Sequence, residues 1–343
     1  MSLDLVNFSL RCFTVSIALV LTPVAAQAHV KWFCAFDVAG SPVGMLNILC
    51  QDFEQLVALA IGMLVLGGVI ERLPLGRAVL RALDRTTSRL RTYTAIVVRL
   101  VAGGFFMSLW ATQHVLLTPE LKTGLSFVSW LQLAIAVAML ARRTLPLAAL
   151  GIITLFGLAI SQYGLFHLMD YPVFLGLAVY LACIGLERSF FGLRPLDLLR
   201  WSAAITLMWA SIEKWAYPQW TFPIFVEHPA ISLGIDIAYY MRAAGVVEFT
   251  LAFALLGTPL VRRSAATILA AMFIGAVGEF GIIDAIGHSC IIVVLLAVLA
   301  DDARTSIGRH AVFFTPIGYS ATLAVFLVVY YGLHTALFGT ALV

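Results

Sequence analysis

The chain has 343 residues, of which 62% are hydrophobic and 11% are charged, and its formal net charge is +3. In a soluble globular domain about a quarter of the residues are charged, so this composition excludes an ordinary soluble domain. It is typical of an all-α integral membrane protein with several membrane-spanning helices. No basic tract interleaved with aromatic residues indicates binding to nucleic acid.

Residues 1–28 have the features of a secretory signal peptide. An apolar core at residues 13–24 follows Arg11, and Ala26-Gln27-Ala28 matches a small-residue cleavage site. The alternative is an uncleaved first helix. Cleavage would leave His29 at the mature N-terminus, where its imidazole and its free amine could hold one metal ion together.

Residues 29–52 would then form a periplasmic N-terminal segment that contains Cys34 and Cys50. Because the periplasm permits disulfides, we expect a Cys34–Cys50 bridge, with a thiol metal site as the alternative. Cys183 and Cys290 lie in apolar runs and are expected to fill space between helices.

Ten apolar runs predict ten transmembrane helices, although each needs about 20 residues to cross and some are shorter. They lie at residues 53–70, 93–117, 124–141, 146–166, 172–186, 201–217, 243–260, 265–283, 289–299 and 312–338. The run at 289–299 must extend into its flanks. Residues 75–90 predict an amphipathic helix on the cytoplasmic surface, and residues 221–242 are apolar enough to lie along the membrane.

Arginines concentrate in alternate loops, at residues 72–91, 142–143, 188–194, 262–263 and 304–309. The positive-inside rule places these loops in the cytoplasm. Both ends of the mature chain would then face the periplasm. This pattern predicts a multi-pass protein of the bacterial inner membrane.

Residues 92–187 and 198–300 indicate two copies of a four-helix unit. RLVAGGFFMSLW from Arg99 aligns with RWSAAITLMWAS from Arg200, and SWLQLAIAVAMLARR from Ser129 aligns with GVVEFTLAFALLGTPLVRR from Gly245. An even number of helices per unit predicts parallel repeats about an axis near the membrane normal. The alternative is chance similarity between apolar helices. Residues 53–91 add a first transmembrane helix and the surface helix, and residues 311–343 add a last one.

The second unit contains LLRWSAAITLMWASIEKW at residues 198–215, then GVVEFTLAFALLG with Glu248, then the Arg262-Arg263 turn. With these residues it resembles the DoxX/DoxD-like group of small four-helix membrane proteins. The resemblance covers residues 198–300 and, more weakly, residues 100–186. It implies a four-helix topology and a link to quinone or thiol redox systems, like that of the small subunit of thiosulfate:quinone oxidoreductase.

Charged residues inside apolar stretches indicate a site, because an ionisable group in the membrane is costly and rarely idle. Arg99 is expected to reach carbonyls of a neighbouring helix. The candidate catalytic residues are Lys214, Glu248 and Glu279, all in the second unit and all at one depth near the outer face. The first unit has neutral residues at the matching places: Gln113, Gln132 and Gln162. The alternative is a buried ion pair that only joins helices.

Trp215 and Trp220 lie beside Lys214 and could form the walls of a site for a ring-shaped ligand such as a quinone. Most of the other tryptophans are expected to belong to an interfacial belt.

Histidines and carboxylates gather at the predicted outer face. His167 and Asp170 are spaced i,i+3, and Asp284 and His288 are spaced i,i+4, so each pair shares one helix face and could bind one ion. Imidazole and carboxylate suit a transition metal, and a terminal histidine favours copper. The predicted metal ligands are His29, His167, Asp170, His228, Asp284 and His288. The alternative is that these histidines form hydrogen bonds among the lipid headgroups.

Together these features predict a redox-linked inner-membrane protein with a periplasm-facing site for copper or a quinone. The expected partners are the lipid bilayer and other membrane redox subunits or a periplasmic protein. The alternatives are a transporter for a metal or a small solute, and a non-catalytic subunit of a larger membrane complex. The sequence leaves open whether the protein is an enzyme.

Overall fold

The structure is a computed structural model, and it describes residues 30–190, 192–232, 234–303 and 311–339. The described residues are mostly helical and include no β-strand, which confirms the all-α prediction. The predicted signal peptide and His29 lie outside the described residues. The longer helices are α1 (Gln51–Arg72), α2 (Pro74–Thr86), α3 (Ser88–Thr112), α4 (Phe127–Ala138), α5 (Leu145–Leu168), α6 (Pro172–Leu186), α7 (Pro195–Ala216), α8 (Ile237–Ala254), α9 (Pro259–Phe280), α10 (Ile282–Ala300) and α11 (Ala311–Phe338).

Several helices are suited to a membrane by length and composition. In the described part of the chain, six are long and apolar enough to cross it: Gln51–Arg72, Ser88–Thr112, Arg142–Leu168, Pro259–Phe280, Ile282–Ala300 and Phe314–Phe338. Helices α4 and α6 are apolar but shorter. These helices confirm a multi-pass membrane protein, and the number of ten transmembrane helices stays a prediction.

The second predicted span, at residues 93–117, lies five residues earlier in the structure and has the same length of 25 residues. Helix α3 ends at Thr112 instead of residue 117, because Gln113 and His114 adopt left-handed backbone angles with φ of 54° and 56°. The chain then reverses, and Val115 pairs with Lys122 in an isolated antiparallel bridge. The next helix, α4, is shorter than predicted, since it covers residues 127–138 instead of 124–141. The loop between these helices contains buried apolar residues, and in the sequence such residues are indistinguishable from the end of a helix.

Other predicted boundaries agree with the structure. The surface helix predicted at 75–90 is observed as α2, and the short run at 289–299 extends back to Ile282 in α10. Helices α9 and α10 are separated by Gly281 alone, at φ 75° and ψ −150°. Residues with a side chain avoid this conformation, so the sharp turn depends on glycine.

Eight helices pack in a closed ring. From α3 to α10 each helix contacts the next one in sequence, and α10 in turn contacts α3. Helix α7 also contacts α10 across the ring. Helices α1 and α11 pack against each other, with α1 against α8 and α11 against α7. The ring therefore joins the end of residues 92–187 to the start of residues 198–300, and the end of the second region to the start of the first.

Residues 30–50 cross one end of this bundle, which we call the outer end; the opposite end is the inner end. The Trp32 ring lies directly on Gly287, where an added Cβ would be 2.1 Å from Trp32 Cη2. Val43 N donates a hydrogen bond to Ala216 O at 2.8 Å. At the inner end, the partly buried Arg99 donates to carbonyls after α4, at Met139 and Leu140, as expected from the sequence.

Candidate functional site

A buried ammonium group lies between two carboxylates at the outer end. Lys31 Nζ is 2.5 Å from Asp170 Oδ2 and 2.5 Å from Glu213 Oε1. All three residues are buried. They come from three separate places: the 3₁₀ turn Val30–Trp32, the turn after α5, and the last turn of α7. The contact therefore joins the N-terminal segment to both halves of the helical ring.

Two aromatic rings complete the surroundings of the ammonium group. Lys31 Nζ is 5.7 Å from the ring centroid of Phe36 and 5.6 Å from that of Trp220, within the range of cation–π attraction. Burial opposes the charge on Lys31, but the carboxylates of Asp170 and Glu213 outweigh burial and raise the pKa of Lys31 above its usual value. Lys31 is therefore a permanent cation at neutral pH.

A third carboxylate lies close by. Tyr171 and Thr118 both donate hydrogen bonds to Glu120 Oε1, the second at 2.9 Å. His167 Nε2 is 3.8 Å from the same oxygen. The side chains of His167 and Glu120 are only 3% and 2% exposed. We call the set Lys31, Glu120, His167, Asp170 and Glu213 the outer ion network.

The outer ion network contains buried polar atoms without a partner. Glu120 Oε2, Asp170 Oδ1 and His167 Nε2 have no hydrogen-bond partner in the described part of the protein. An unpaired polar atom inside a protein is costly, so such atoms are rare and call for an explanation. Carboxylate oxygens and a ring nitrogen can each accept a proton or contact a small cation.

Of the predicted residues Lys214, Glu248 and Glu279, the structure brings two together. Lys214 Nζ is 2.6 Å from Glu248 Oε2, and both side chains are nearly buried. Glu279 lies elsewhere, with its Oε1 2.6 Å from His228 Nδ1 in a partly exposed pair. The structure therefore separates the predicted cluster into two ion pairs.

The two candidate aromatic walls are both packed against protein. Trp215 is buried, with its ring edge-on to Phe53 at 5.0 Å and its Nε1 donating to Arg242 O. Trp220 stacks on Tyr217 with a centroid distance of 4.1 Å, and Lys31 also lies over the Trp220 ring. Of the two tryptophans, only Trp220 borders the outer ion network.

The predicted metal ligands do not come together. His288 Nδ1 lies 3.0 Å from Asp284 Oδ2, beneath the ring of Trp32. His167 and Asp170 belong to the outer ion network instead. Among the described residues, no three His, Cys, Asp or Glu side chains are placed to hold one ion. Copper binding through His29 stays a prediction.

Cys34 and Cys50 are separate thiols in the structure. Burial raises the pKa of the Cys34 thiol, which lies against the backbone of Ile224. The Cys50 sulfur accepts a hydrogen bond from Arg242 Nη1 at 3.2 Å. The predicted Cys34–Cys50 disulfide would join the two sulfur atoms in one bond, in place of these two separate contacts.

The glutamines of the first unit hold the loop at residues 113–126. Gln132 is buried, and its Nε2 donates to Val115 O at 2.6 Å and to Leu116 O at 2.9 Å. Gln162 Nε2 donates to Thr123 Oγ1 at 3.3 Å. Gln113 ends α3. These glutamines position the loop that carries Glu120.

Sequence reasoning misses Lys31 and Glu213. Glu213 carries the same signal as Lys214, a charge inside an apolar stretch, and could have been found by it. Lys31 carries no such signal, because it precedes the first long helix and looks like an ordinary loop lysine. Comparison of the chain with protein-family models, with curated proteins and with solved structures gives no match in any of the three.

Proposed function

We propose that the protein is a redox-linked, DoxX-like inner-membrane protein whose outer ion network exchanges protons with a quinone. The charge balance of the network is the observation that supports this best. Glu120, Asp170 and Glu213 supply three carboxylates, whereas Lys31 supplies one permanent cation. With every carboxylate ionised, two negative charges would remain unbalanced, or one if His167 is protonated.

Unbalanced charge in a buried site is expensive, at several kcal/mol per ion. The network therefore favours taking up at least one proton or another cation. Glu120 Oε2, Asp170 Oδ1 and His167 Nε2 are the atoms free to do so. A buried site that gains and loses protons is suited to general acid–base chemistry.

Quinol oxidation is a reaction that requires such a site. It releases two electrons and two protons, and the protons need acceptors beside the ring oxygens. In the proposed orientation, Glu120 and His167 would receive protons on the periplasmic side, and the electrons would pass to a membrane or periplasmic redox partner. Phe36 and Trp220 supply aromatic surface beside the network.

The proposed internal duplication places this site between the two units. Asp170 follows the third helix of the first unit, and Glu213 ends the first helix of the second. The closed ring, in which the last helix of each unit contacts the first helix of the other, supports the duplication. A site at the junction of two repeats is common in membrane proteins built this way.

A permease for a small cation is the second candidate. It is favoured by the position of Lys31, whose ammonium group occupies an acidic pair where a cationic solute could bind. The two functions differ in a measurable way, since only the first requires quinol binding.

The test measures binding of a short-chain quinol to purified protein by quenching of tryptophan fluorescence, with proton release followed by a pH indicator. We expect saturable binding that is weakened in Glu120→Gln and Asp170→Asn. Glu187→Gln is the matched control, because Glu187 is 71% exposed and pairs with an exposed Arg142. Wild-type protein that binds no quinol, or binds it as well after Glu120→Gln, contradicts the proposal. Cation uptake by proteoliposomes without quinol binding would favour the permease.

A further inference from the structure

The inner end of the bundle contains a second, partly buried set of charges, far along the helices from the outer ion network. Its members are the inner arginine cluster: Arg194, Asp197, Arg200, Arg262 and Asp301. The first three lie at the start of α7, Arg262 lies in the first turns of α9, and Asp301 follows α10.

The carboxylates of this cluster are shared between several guanidinium groups. Arg194 and Arg200 both contact Asp197 Oδ1, at 2.7 and 3.0 Å. Arg194 also contacts Asp301 Oδ1 at 3.0 Å, and Arg262 Nη2 is 3.4 Å from Asp301 Oδ2. Three guanidinium groups thus share two carboxylates, which leaves one positive charge in excess.

Two of the arginines have hydrogen-bond donors that find no acceptor among the described residues. Nε and Nη1 of Arg200 and the same two atoms of Arg262 are buried without a hydrogen-bond partner in the described residues. The residues are 5% and 0% exposed. Arg200 and Arg262 also repel each other electrostatically. Although Arg262 Nη2 donates to Ala303 O at 2.9 Å, the described residues leave Nε and Nη1 of both arginines without a partner.

The adjacent Arg263 is a useful contrast. It is 1% exposed, yet its Nε donates to Leu299 O, its Nη1 to Asp84 Oδ1 and its Nη2 to Thr87 Oγ1. Every nitrogen of this guanidinium has a partner inside the protein. Burial of an arginine in this bundle therefore does not by itself leave its donors unpaired.

Helix direction adds to the positive potential. Helices α7 and α9, of 22 residues each, both begin at the inner end, close to Arg200 and Arg262. The N-terminus of a long helix carries a partial positive charge that favours anions.

We propose that Arg200 and Arg262 bind the phosphate group of an anion at the inner end. Guanidinium groups match phosphate oxygens in geometry and form strong charge-assisted hydrogen bonds with them. A phosphodiester with one negative charge would balance the excess charge of the cluster. The source is either the headgroup of an anionic phospholipid or free phosphate, and the position at the ends of membrane helices favours the headgroup.

The test uses full-length protein in detergent after its lipids have been washed away. Thermal unfolding is measured while phosphatidylglycerol, inorganic phosphate, or sodium chloride at matched ionic strength is added. We expect phosphatidylglycerol to raise Tm saturably. Arg200→Gln and Arg262→Gln each remove a charge-assisted hydrogen bond. Each variant should therefore bind phosphatidylglycerol with an apparent affinity that is about tenfold or more weaker. Arg142→Gln is the matched control, because Arg142 is 57% exposed at the same end.

The outcomes separate the sources of the anion and can overturn the proposal. A rise with the lipid alone identifies a headgroup, and an equal rise with inorganic phosphate identifies free phosphate. The proposal fails if sodium chloride acts as strongly, if neither ligand shifts wild-type Tm, or if both glutamine variants keep the full effect. If Arg262→Gln does not fold, Arg200→Gln and the wild-type titrations still decide the matter. Quinol binding is measured separately, so this result is independent of the proposed function.

Discussion

Glu213 and Lys214 are neighbours in α7, but their side chains form ion pairs with different parts of the protein. Glu213 binds Lys31 of the N-terminal segment at 2.5 Å, whereas Lys214 binds Glu248 of α8 at 2.6 Å. The last turn of α7 thus takes part in two ion pairs. One pair connects α7 to the N-terminal segment, and the other connects it to α8, the next helix in the ring.

Removal of the Lys31 ammonium group should destabilise the protein strongly. Lys31→Gln leaves Asp170 and Glu213 buried without their cation, and breaking a buried ion pair costs roughly 3–5 kcal/mol. The measurement is thermal or denaturant unfolding in detergent. Lys122→Gln is the matched control, because Lys122 is an exposed lysine of the loop between α3 and α4.

The same experiment has a rescue variant. Lys31→Gln combined with Asp170→Asn and Glu213→Gln removes the uncompensated charges, so it should recover most of the lost stability. If Lys31→Gln alone unfolds like wild type, the ammonium group contributes little and the buried ion pairs are not important for stability.

Glu248→Gln should cost much more stability than Glu279→Gln. Glu248 is 7% exposed and its loss strands Lys214, whereas Glu279 is 47% exposed and pairs with a histidine. We expect roughly 3–5 kcal/mol for the first and about 0–1 kcal/mol for the second. Equal losses of Tm in the two variants would contradict this order.

Alkaline pH should weaken the attachment of the N-terminal segment. The carboxylates hold the pKa of Lys31 above its unfolded value of 10.5, so its stabilising contribution is complete below pH 10.5 and is lost as the pH rises through the folded pKa. Wild-type Tm should therefore fall above pH 10.5 more steeply than that of Lys31→Gln. Parallel curves for the two proteins would show that Lys31 does not cause the fall.

Gly287→Val should displace Trp32. Even the Cβ of a larger residue would lie 2.1 Å from the indole ring, so the N-terminal segment must move or α10 must shift. Overpacking of this kind costs typically about 1–3 kcal/mol. Limited proteolysis of residues 30–50 measures the displacement. Gly275→Ala is the control, because nothing lies within 4 Å of its added Cβ, and it should leave the segment protected.

The predicted mature N-terminus can be checked together with metal binding. Intact mass should show loss of residues 1–28, so that His29 becomes the first residue. After copper loading, bound metal should fall in His29→Ala and in His288→Ala. A mass that includes residues 1–28, or metal content unchanged in both variants, would remove the terminal-ligand hypothesis.

Hydrophobicity predicted much of the fold, because each long apolar run buries its own backbone hydrogen bonds as a helix. The extension of α10 was predicted for the same reason, whereas α2 was predicted from the amphipathic pattern of residues 75–90. The loop at residues 113–126 was not. Its buried Val115, Leu116 and Leu117 look like helix in the sequence, and the structure shows that the side chain of Gln132 satisfies the carbonyls of Val115 and Leu116.

The candidate site was less predictable. The Lys214–Glu248 pair followed from charge inside apolar helices, since such groups need partners. Lys31 and Asp170 are 139 residues apart, and nothing local in the sequence relates them. Glu279 was assigned to the wrong neighbours, because helix depth alone does not determine which face of the helix meets which other helix.

The burial of Lys31 sets the order in which the protein is assembled. Lys31 is synthesised long before either carboxylate that binds it, so the N-terminal segment has to wait outside the bundle until α7 is in place. Until then Asp170 and Glu213 have no ammonium partner. A segment that is synthesised before α7 is thus among the last to reach its final position, and its arrival closes the outer end.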